Sequence, residues 1–165
     1  MLNIRHILVP IDLREHSQTL TEVALAVANQ LGAEKITFLH ALPHLPDLND
    51  YLPDTLGRLE AEFRAEGEGK MAAFLDLIKD QAANIDGAVV DGEATEAILA
   101  YAREHRVDLI VIATHGAKGI EKILLGSVAD QVIKGAPCPT LVFNPFSGTR
   151  GYEVCKPLNA CIQAV

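Results

Sequence analysis

The sequence has few basic residues and no long apolar run. Its 14 lysines and arginines stand against 22 aspartates and glutamates, which gives a formal net charge of −8 over 165 residues. That balance argues against a nucleic-acid partner, which would need clustered positive side chains. No apolar run approaches the roughly 18 residues of a membrane-spanning helix, and a strand predicted from His6 leaves no room for a signal peptide. We expect a cytoplasmic protein with no membrane partner.

Cysteine is also scarce. The three cysteines, Cys138, Cys155 and Cys161, do not have the spacing of a metal site. An odd number of cysteines in a chain that is not exported indicates free thiols rather than a disulfide framework. The sequence therefore predicts neither a structural metal nor a structural disulfide.

What the sequence does contain is an alternation of short apolar runs with amphipathic helical patterns. The predicted strands are His6–Ile11, Ile36–Ala41, Ala88–Val90, Leu109–Ala113 and Thr140–Phe143. A helical pattern lies between each strand and the next, which is typical of a parallel sheet covered by helices on both faces. We expect a single α/β domain, a three-layer doubly wound sandwich with a five-stranded parallel sheet.

Two helices leave a detail open. The first could be capped at its start by either Ser17 or Thr19. The second follows a loop predicted over residues 42–54, but Gly67 and Gly69 interrupt its apolar spacing. Because each interior glycine costs about 1 kcal/mol relative to alanine, this pattern predicts either one weakened helix or two shorter ones.

The stretch from Val107 to Val142 carries the main functional signal. A buried strand is followed by a glycine-containing loop from Thr114 to Gly119, and later by Gly126 and Ser127. Asp130 stands at capping-box spacing from Ser127, so Ser127 is expected to cap the next helix. Unpaired N–H groups of the loop and of the helix start would form a cradle for phosphate oxygens.

A second candidate lies at the end of the first predicted strand. In doubly wound sheets the ligand binds at the carboxyl ends of the strands, where the strand order reverses. The first and fourth strands end in Asp12 and in the glycine loop. Asp12 could orient a ribose or a metal held by phosphates, or it could simply be an acid favoured by a helix dipole. Its position at the sheet edge favours the ligand role.

These residues resemble the universal stress protein family. The matching pieces are Ile7–Asp12, Phe38–Ala41, Ala113–Gly116, Leu125–Ser127 and Ala136–Val142, in the family's order. The resemblance covers residues 1–144, the expected domain, and leaves residues 145–165 as a C-terminal tail. It implies the fold of the adenine nucleotide alpha hydrolases and a role in signalling or stress response.

The ATP-binding branch of the family has a pattern of Gly, two residues, Gly, nine residues, Gly, then Ser or Thr. Gly116, Gly126 and Ser127 fit this pattern, whereas Ala113 replaces its first glycine. The resemblance implies ATP or AMP as ligand, with Mg²⁺ as a candidate companion ion. Together with directly neighbouring residues, the positions implied by the resemblance form the candidate nucleotide-binding set. The set is Pro10, Ile11, Asp12, Ala41, Ile112, Ala113, His115, Gly116, Gly126, Ser127 and Val128.

Two classes of function remain open. One is an adenine-nucleotide-binding protein that signals to a protein partner of unknown identity. The other is a dimeric interaction module of the same fold that binds no nucleotide, which the methyl of Ala113 keeps open. We expect no enzyme beyond slow ATP hydrolysis, because His115 has no evident nucleophile or second catalytic group beside it in sequence. His115 is interpreted as a loop-bracing residue.

The last strand predicts a homodimer. Thr140–Phe143 should be an apolar sheet edge, and an exposed apolar edge favours pairing with another chain. The family resemblance implies the same pairing.

Overall fold

A parallel sheet of five strands runs through the middle of the molecule in the order β3-β2-β1-β4-β5. This computed structural model describes residues 3–13, 17–43, 53–82, 84–114 and 126–144. The strands are β1 (His6–Pro10), β2 (Lys35–Leu42), β3 (Ile85–Asp91), β4 (Leu109–Ala113) and β5 (Thr140–Phe143). The helices are α1 (Ser17–Leu31), α2 (Pro53–Ile78), α3 (Ala94–Glu104) and α4 (Ser127–Gly135). The strand order reverses between β1 and β4.

The helices cover both faces of the sheet, as predicted. On one face α1 and α2 pack against alternate residues of the central strands, among them Ile7, Val9 and Phe38. On the other face α3 and α4 pack against the intervening residues, among them Leu8 and Leu39. Successive side chains of a strand point to opposite faces, so each central strand contributes to both cores. The doubly wound three-layer sandwich is confirmed.

The third strand is longer than its apolar run suggested. It begins at Ile85 rather than at Ala88. The sequence pattern did not indicate this start, because two of its residues do not have apolar side chains. Asp86 forms an ion pair with Lys35 on β2, with 3.0 Å between the charged atoms. Gly87 lies against Met71 of α2 so closely that a Cβ atom there would come within 2.8 Å of it. A charge and a glycine break the apolar pattern although both belong to a paired strand.

The second helix is continuous from Pro53 to Ile78. Pro53 had been predicted in the loop, but proline suits the first turn of a helix, where no intrahelical N–H bond is needed. Gly67 does not break the helix, because it packs tightly. A Cβ atom there would stand 2.9 Å from a methyl of Leu42, so the bare backbone lets α2 approach β2.

Two predicted cap residues are excluded, namely Thr19, one of the two alternatives for α1, and Ser127 for α4. α1 begins at Ser17, which places Thr19 inside the first turn rather than at the cap. α4 also begins one residue earlier than a Ser127 cap would require. Its N-cap is Gly126, and Ser127 is the first helical residue. Capping-box spacing therefore located this helix start to within one residue but assigned the wrong residue as the cap.

The amino edge of the sheet is held by a polar network between distant parts of the chain. One carboxylate oxygen of Asp108 accepts hydrogen bonds from the backbone N–H groups of Arg5 and His6, both at 2.9 Å. The bond from His6 and partial desolvation act on the pKa of Asp108 in opposite directions, and the pKa is lowered. The His6 imidazole lies 2.8 Å from the hydroxyl of Thr37 and 3.3 Å from the carbonyl of His105. The network joins β1, β2 and the start of β4.

None of the helices in the described ranges is both long enough and apolar enough to span a bilayer.

Candidate functional site

The cleft between β1 and β4 opens towards the carboxyl edge of the sheet. The two strands pair at Ile7↔Leu109 and Leu8↔Ile110, near their beginnings. Pro10 stands two residues further along β1. The N–H of Ile11 donates to the carbonyl of Leu39 on β2. Because the backbone groups of successive strand residues point to opposite neighbouring strands, the backbone nitrogen of Pro10 points towards β4. Proline has no N–H to donate there, and the ladder to β4 loses a bond where the strand order reverses.

The turn after β1 follows an unusual backbone path. Asp12 is half-buried at the carboxyl edge, and Leu13 after it has φ 55°, in the left-handed region. A residue with a Cβ atom adopts this conformation at a cost of about 1–2 kcal/mol. Leu13 packs against the core between the sheet and α1–α2, and this burial offsets part of that cost.

The end of β4 and the start of α4 meet through Gly126. The N–H of Gly126 donates to the carbonyl oxygen of Thr114 at 2.7 Å. A Cβ atom at position 126 would stand 2.5 Å from that oxygen. The φ of Gly126 is −60°, which any residue can adopt, so glycine is required here for space alone. The N–H of Thr114 in turn donates to Phe143 of β5 at 2.8 Å.

The first turn of α4 presents backbone donors at this edge. Gly126, at the N-cap, has no side chain with which to cap them. The first bond of the helix runs from the N–H of Asp130 to the carbonyl of Gly126 at 2.9 Å. The N–H groups of Ser127, Val128 and Ala129 therefore have no partner within the helix. Such a turn attracts anions through its N–H groups and through the helix dipole.

The sequence-predicted positions that the structure describes lie along this edge. Asp12, Ala41, Ala113, Gly126 and Val128 are half-buried, and so is Pro10, while Ser127 is exposed. Ile11 and Ile112 are buried in opposite cores, so a ligand at the edge could reach them only through their backbone atoms. His115 and Gly116 lie outside the described residues, as does the predicted tail with Cys155 and Cys161. Cys138 is a free thiol, and burial raises its pKa.

Two residues beside these positions were missed by the sequence interpretation. The carbonyl of Thr114 is the contact that requires glycine at position 126, and the imidazole of His40 contacts the carbonyl of Ile11 at 3.0 Å. Thr114 is the first residue of the predicted glycine loop, which is a signal that could have been used. His40 gives no such signal, because its contact depends on how β2 is aligned with β1.

Known proteins match the chain over most of its length. The family model described as the Universal stress protein family matches residues 3–144. A universal stress protein of Methanocaldococcus jannaschii is 28% identical over 138 residues, which are 84% of this chain and 81% of that relative. One from Thermus aquaticus is 31% identical over 136 residues, 82% of this chain and 96% of the relative.

Solved structures show the same fold. The universal stress protein UspA of Lactobacillus plantarum has a TM-score of 0.74 at 24% identity, covering 86% of this chain and 98% of that one. A universal stress protein of Archaeoglobus fulgidus in complex with dAMP has a TM-score of 0.61 at 20% identity, with coverages of 86% and 98%. A universal stress protein in complex with cAMP has a TM-score of 0.56 at 22% identity, with coverages of 87% and 98%.

Proposed function

The chain belongs to the universal stress protein family, and from this premise we propose that it binds an adenine nucleotide, ATP or AMP, in the cleft between β1 and β4. The observation that carries the proposal is the first turn of α4, which stands at the strand-order reversal without a side-chain cap. Universal stress proteins of the same fold hold cAMP and dAMP. Ligands at such reversals bind beyond the carboxyl ends of the strands.

The described residues fit a nucleotide in three places. The donors of Ser127 and its neighbours suit phosphate oxygens, since backbone N–H groups at a helix start recognise anions without a charged side chain. Asp12 offers a carboxylate to ribose hydroxyl groups. Ala41 leaves room for the base at the end of β2, because its side chain is a single methyl.

We expect Mg²⁺, if it binds, to be held mainly by the phosphates of the ligand. Among the described residues no three His, Cys, Asp or Glu side chains group as metal ligands. Asp12 is the one carboxylate among the described candidate positions, and phosphate-bound Mg²⁺ commonly needs only one or two protein carboxylates.

We propose a binding protein with little or no turnover. Asp12 is also the one ordinary acid or base among the described candidate positions. Hydrolysis needs a group that positions and activates water as well as one that stabilises the leaving phosphate. The proposed role is a signal in which the loaded and empty forms bind a protein partner differently, in the stress-response setting of the family.

Calorimetry and mass spectrometry test the nucleotide. Protein purified without added nucleotide is denatured, and the supernatant is examined for ATP and AMP; the refolded or emptied protein is then titrated with ATP, AMP and cAMP. We expect saturable binding of at least one of them. Absence of heat, together with absence of competition at millimolar ATP, would favour the interaction module that binds no nucleotide.

We also propose that the protein forms a homodimer through β5. This strand is one of the two edge strands of the sheet, and its Leu141 is 39% exposed. An exposed apolar edge favours pairing with a second chain. Light scattering should give twice the chain mass at micromolar concentration. Val142→Pro should shift the protein towards monomer while its circular dichroism spectrum is kept, because proline removes a ladder donor. A monomeric native protein would contradict the dimer.

A further inference from the structure

We propose that His40 is a positioning residue for the nucleotide site, acting on Asp12 through the backbone carbonyl of Ile11. The inference rests on the proposed function for its ligand, but the contact that carries it is independent of any ligand. The Nδ1 atom of His40 lies 3.0 Å from the carbonyl oxygen of Ile11, the residue before Asp12.

The peptide groups of Ile11 are held by β2 on both sides. Its N–H donates to the carbonyl of Leu39 at 2.9 Å, one residue past the end of β1. Its carbonyl accepts from His40, the residue after Leu39. Here a side chain extends the backbone ladder beyond the last strand residue, and it does so immediately before Asp12.

The bond between His40 and Ile11 lies two residues before a residue with an unfavourable backbone conformation. Leu13 is in the left-handed region at φ 55°, and such a conformation persists when the surrounding structure determines it strongly. Burial of Leu13 supports the turn from one side. The bond to Ile11 supports it from the other, so Asp12 lies between two fixed residues.

The β2 strand that carries His40 is itself firmly fixed. Phe38 lies two residues earlier on the same face, is fully buried, and meets the ring of Phe74 on α2 edge to face at 5.0 Å. Ala41 follows His40 and points to the opposite face. One short segment of β2 therefore supports the turn that carries Asp12 and also supplies Ala41. His40 links these two residues, which are both candidate contacts of the ligand.

The geometry also fixes a proton. A carbonyl oxygen only accepts hydrogen bonds, so Nδ1 of His40 must be the donor in this contact. In the neutral imidazole the Nε2 atom is then unprotonated. Nitrogen-15 NMR of the histidine ring should show the Nδ1–H tautomer of the neutral imidazole, with no nucleotide present. The Nε2–H tautomer would overturn the proposal.

Two variants of matched shape separate positioning from general stability. His40→Asn keeps an N–H donor near the position of Nδ1. His40→Leu introduces a side chain of nearly the same shape as asparagine, but without a donor. Relative to the native protein, we expect His40→Leu to bind ATP about fivefold to tenfold more weakly, the loss of about one hydrogen bond, and His40→Asn to bind within about twofold. Asparagine has a lower strand propensity than leucine, so His40→Asn should be no more stable than His40→Leu. Tighter ATP binding by His40→Asn could therefore not be explained by higher stability.

A double-mutant cycle with Asp12→Ala tests the route of the effect. If His40 acts through Asp12, His40→Leu should weaken ATP binding much less in the Asp12→Ala background. The amide chemical shifts of Asp12 and Leu13 should move in His40→Leu and return towards native values in His40→Asn. Unchanged shifts in His40→Leu, or an undiminished effect in the cycle, would overturn the proposal. If the native protein binds no adenine nucleotide, the proposed function fails, and the tautomer and the amide shifts still decide whether His40 positions Asp12.

Discussion

The N-termini of α3 and α4 lie at the same edge of the sheet and on the same face, but they are completed differently. At α3 the carboxylate of Glu93 accepts from the backbone N–H of Glu96 at 3.0 Å and from the hydroxyl of Thr95 at 3.3 Å. At α4 the equivalent position is Gly126, which has no side chain. The start of α3 therefore has an anionic side chain of its own, whereas the start of α4 has none, and we propose that a ligand takes that place.

The chemistry of Glu93 supports this interpretation. Partial desolvation raises the pKa of its carboxyl group, but hydrogen bonds from the backbone of Glu96 and from Thr95 outweigh it, and the pKa is lowered. Glu93 is thus a carboxylate at neutral pH and neutralises the helix start. At the N-cap of α4 a Cβ atom would stand 2.5 Å from the carbonyl oxygen of Thr114, which leaves no space for a capping side chain such as that of Glu93.

The largest expected effect is at α4. Gly126→Ala should abolish measurable nucleotide binding and destabilise the fold by about 1–3 kcal/mol, because the new methyl must displace the backbone of Thr114. Binding is measured by calorimetry and stability by urea unfolding. Gly69→Ala is the matched control, since nothing lies within 4 Å of its Cβ position. It should leave binding intact and add about 0.5–1 kcal/mol of stability. Native-like binding by Gly126→Ala would show that the cradle is misplaced.

At α3 a change should affect stability alone. Glu93→Ala removes the cap and should cost about 1 kcal/mol in the free energy of unfolding. Nucleotide affinity should remain unchanged, since this helix start has its own anion. Glu96→Ala keeps the backbone donor and the Glu93 cap, and should cost less. Weaker nucleotide binding by Glu93→Ala would mean that the two helix starts act as one site.

A smaller effect is expected at Ala113, on the side of the site formed by β4 and α4. Ala113 ends β4 beside Thr114, and its methyl group stands where the family's ATP-binding pattern has a glycine. Ala113→Gly should tighten ATP binding by about 1 kcal/mol or less if it relieves crowding, while glycine in a strand lowers stability by a similar amount. Ala88→Gly in β3 provides a strand control and should lower stability without changing affinity. Weaker binding by Ala113→Gly would show that this position is wrongly matched to the family pattern.

The smallest expected effect is at the amino edge, far from both helix starts. Burial lowers the pKa of His6 from its ordinary value of 6.5, against the opposing bond to His105. The unfolded chain therefore takes up a proton first, so this contribution to stability is present above pH 6.5 and declines as the pH falls through that value towards the folded-state pKa. Urea midpoints at pH 7.5 and 5.5 should differ less in His6→Gln than in the native protein. An equal difference in both would assign the pH dependence to other groups.

Local patterns predicted the elements well and their polar contacts poorly. Runs such as Leu109–Ala113 are buried on both faces, and this burial is visible in the sequence as an unbroken apolar stretch. The bond from His6 to Asp108 spans 102 residues, and no local pattern contains both partners. The cap of α4 was misassigned because serine is a strong cap by propensity, whereas the contact with Thr114 requires glycine at the N-cap.

The order of strands and helices, the two apolar faces and the positions of Asp12 and Gly126 were determined by the sequence alone, because periodicity and glycine placement are local properties of the chain. Only the tertiary structure decided that β1 lies between β2 and β4, that Pro10 faces the opening cleft, and that His40 reaches the carbonyl of Ile11. Strand order and register arise from packing between segments far apart in sequence. A residue whose role is to hold another segment is therefore recognised only after the two segments have met.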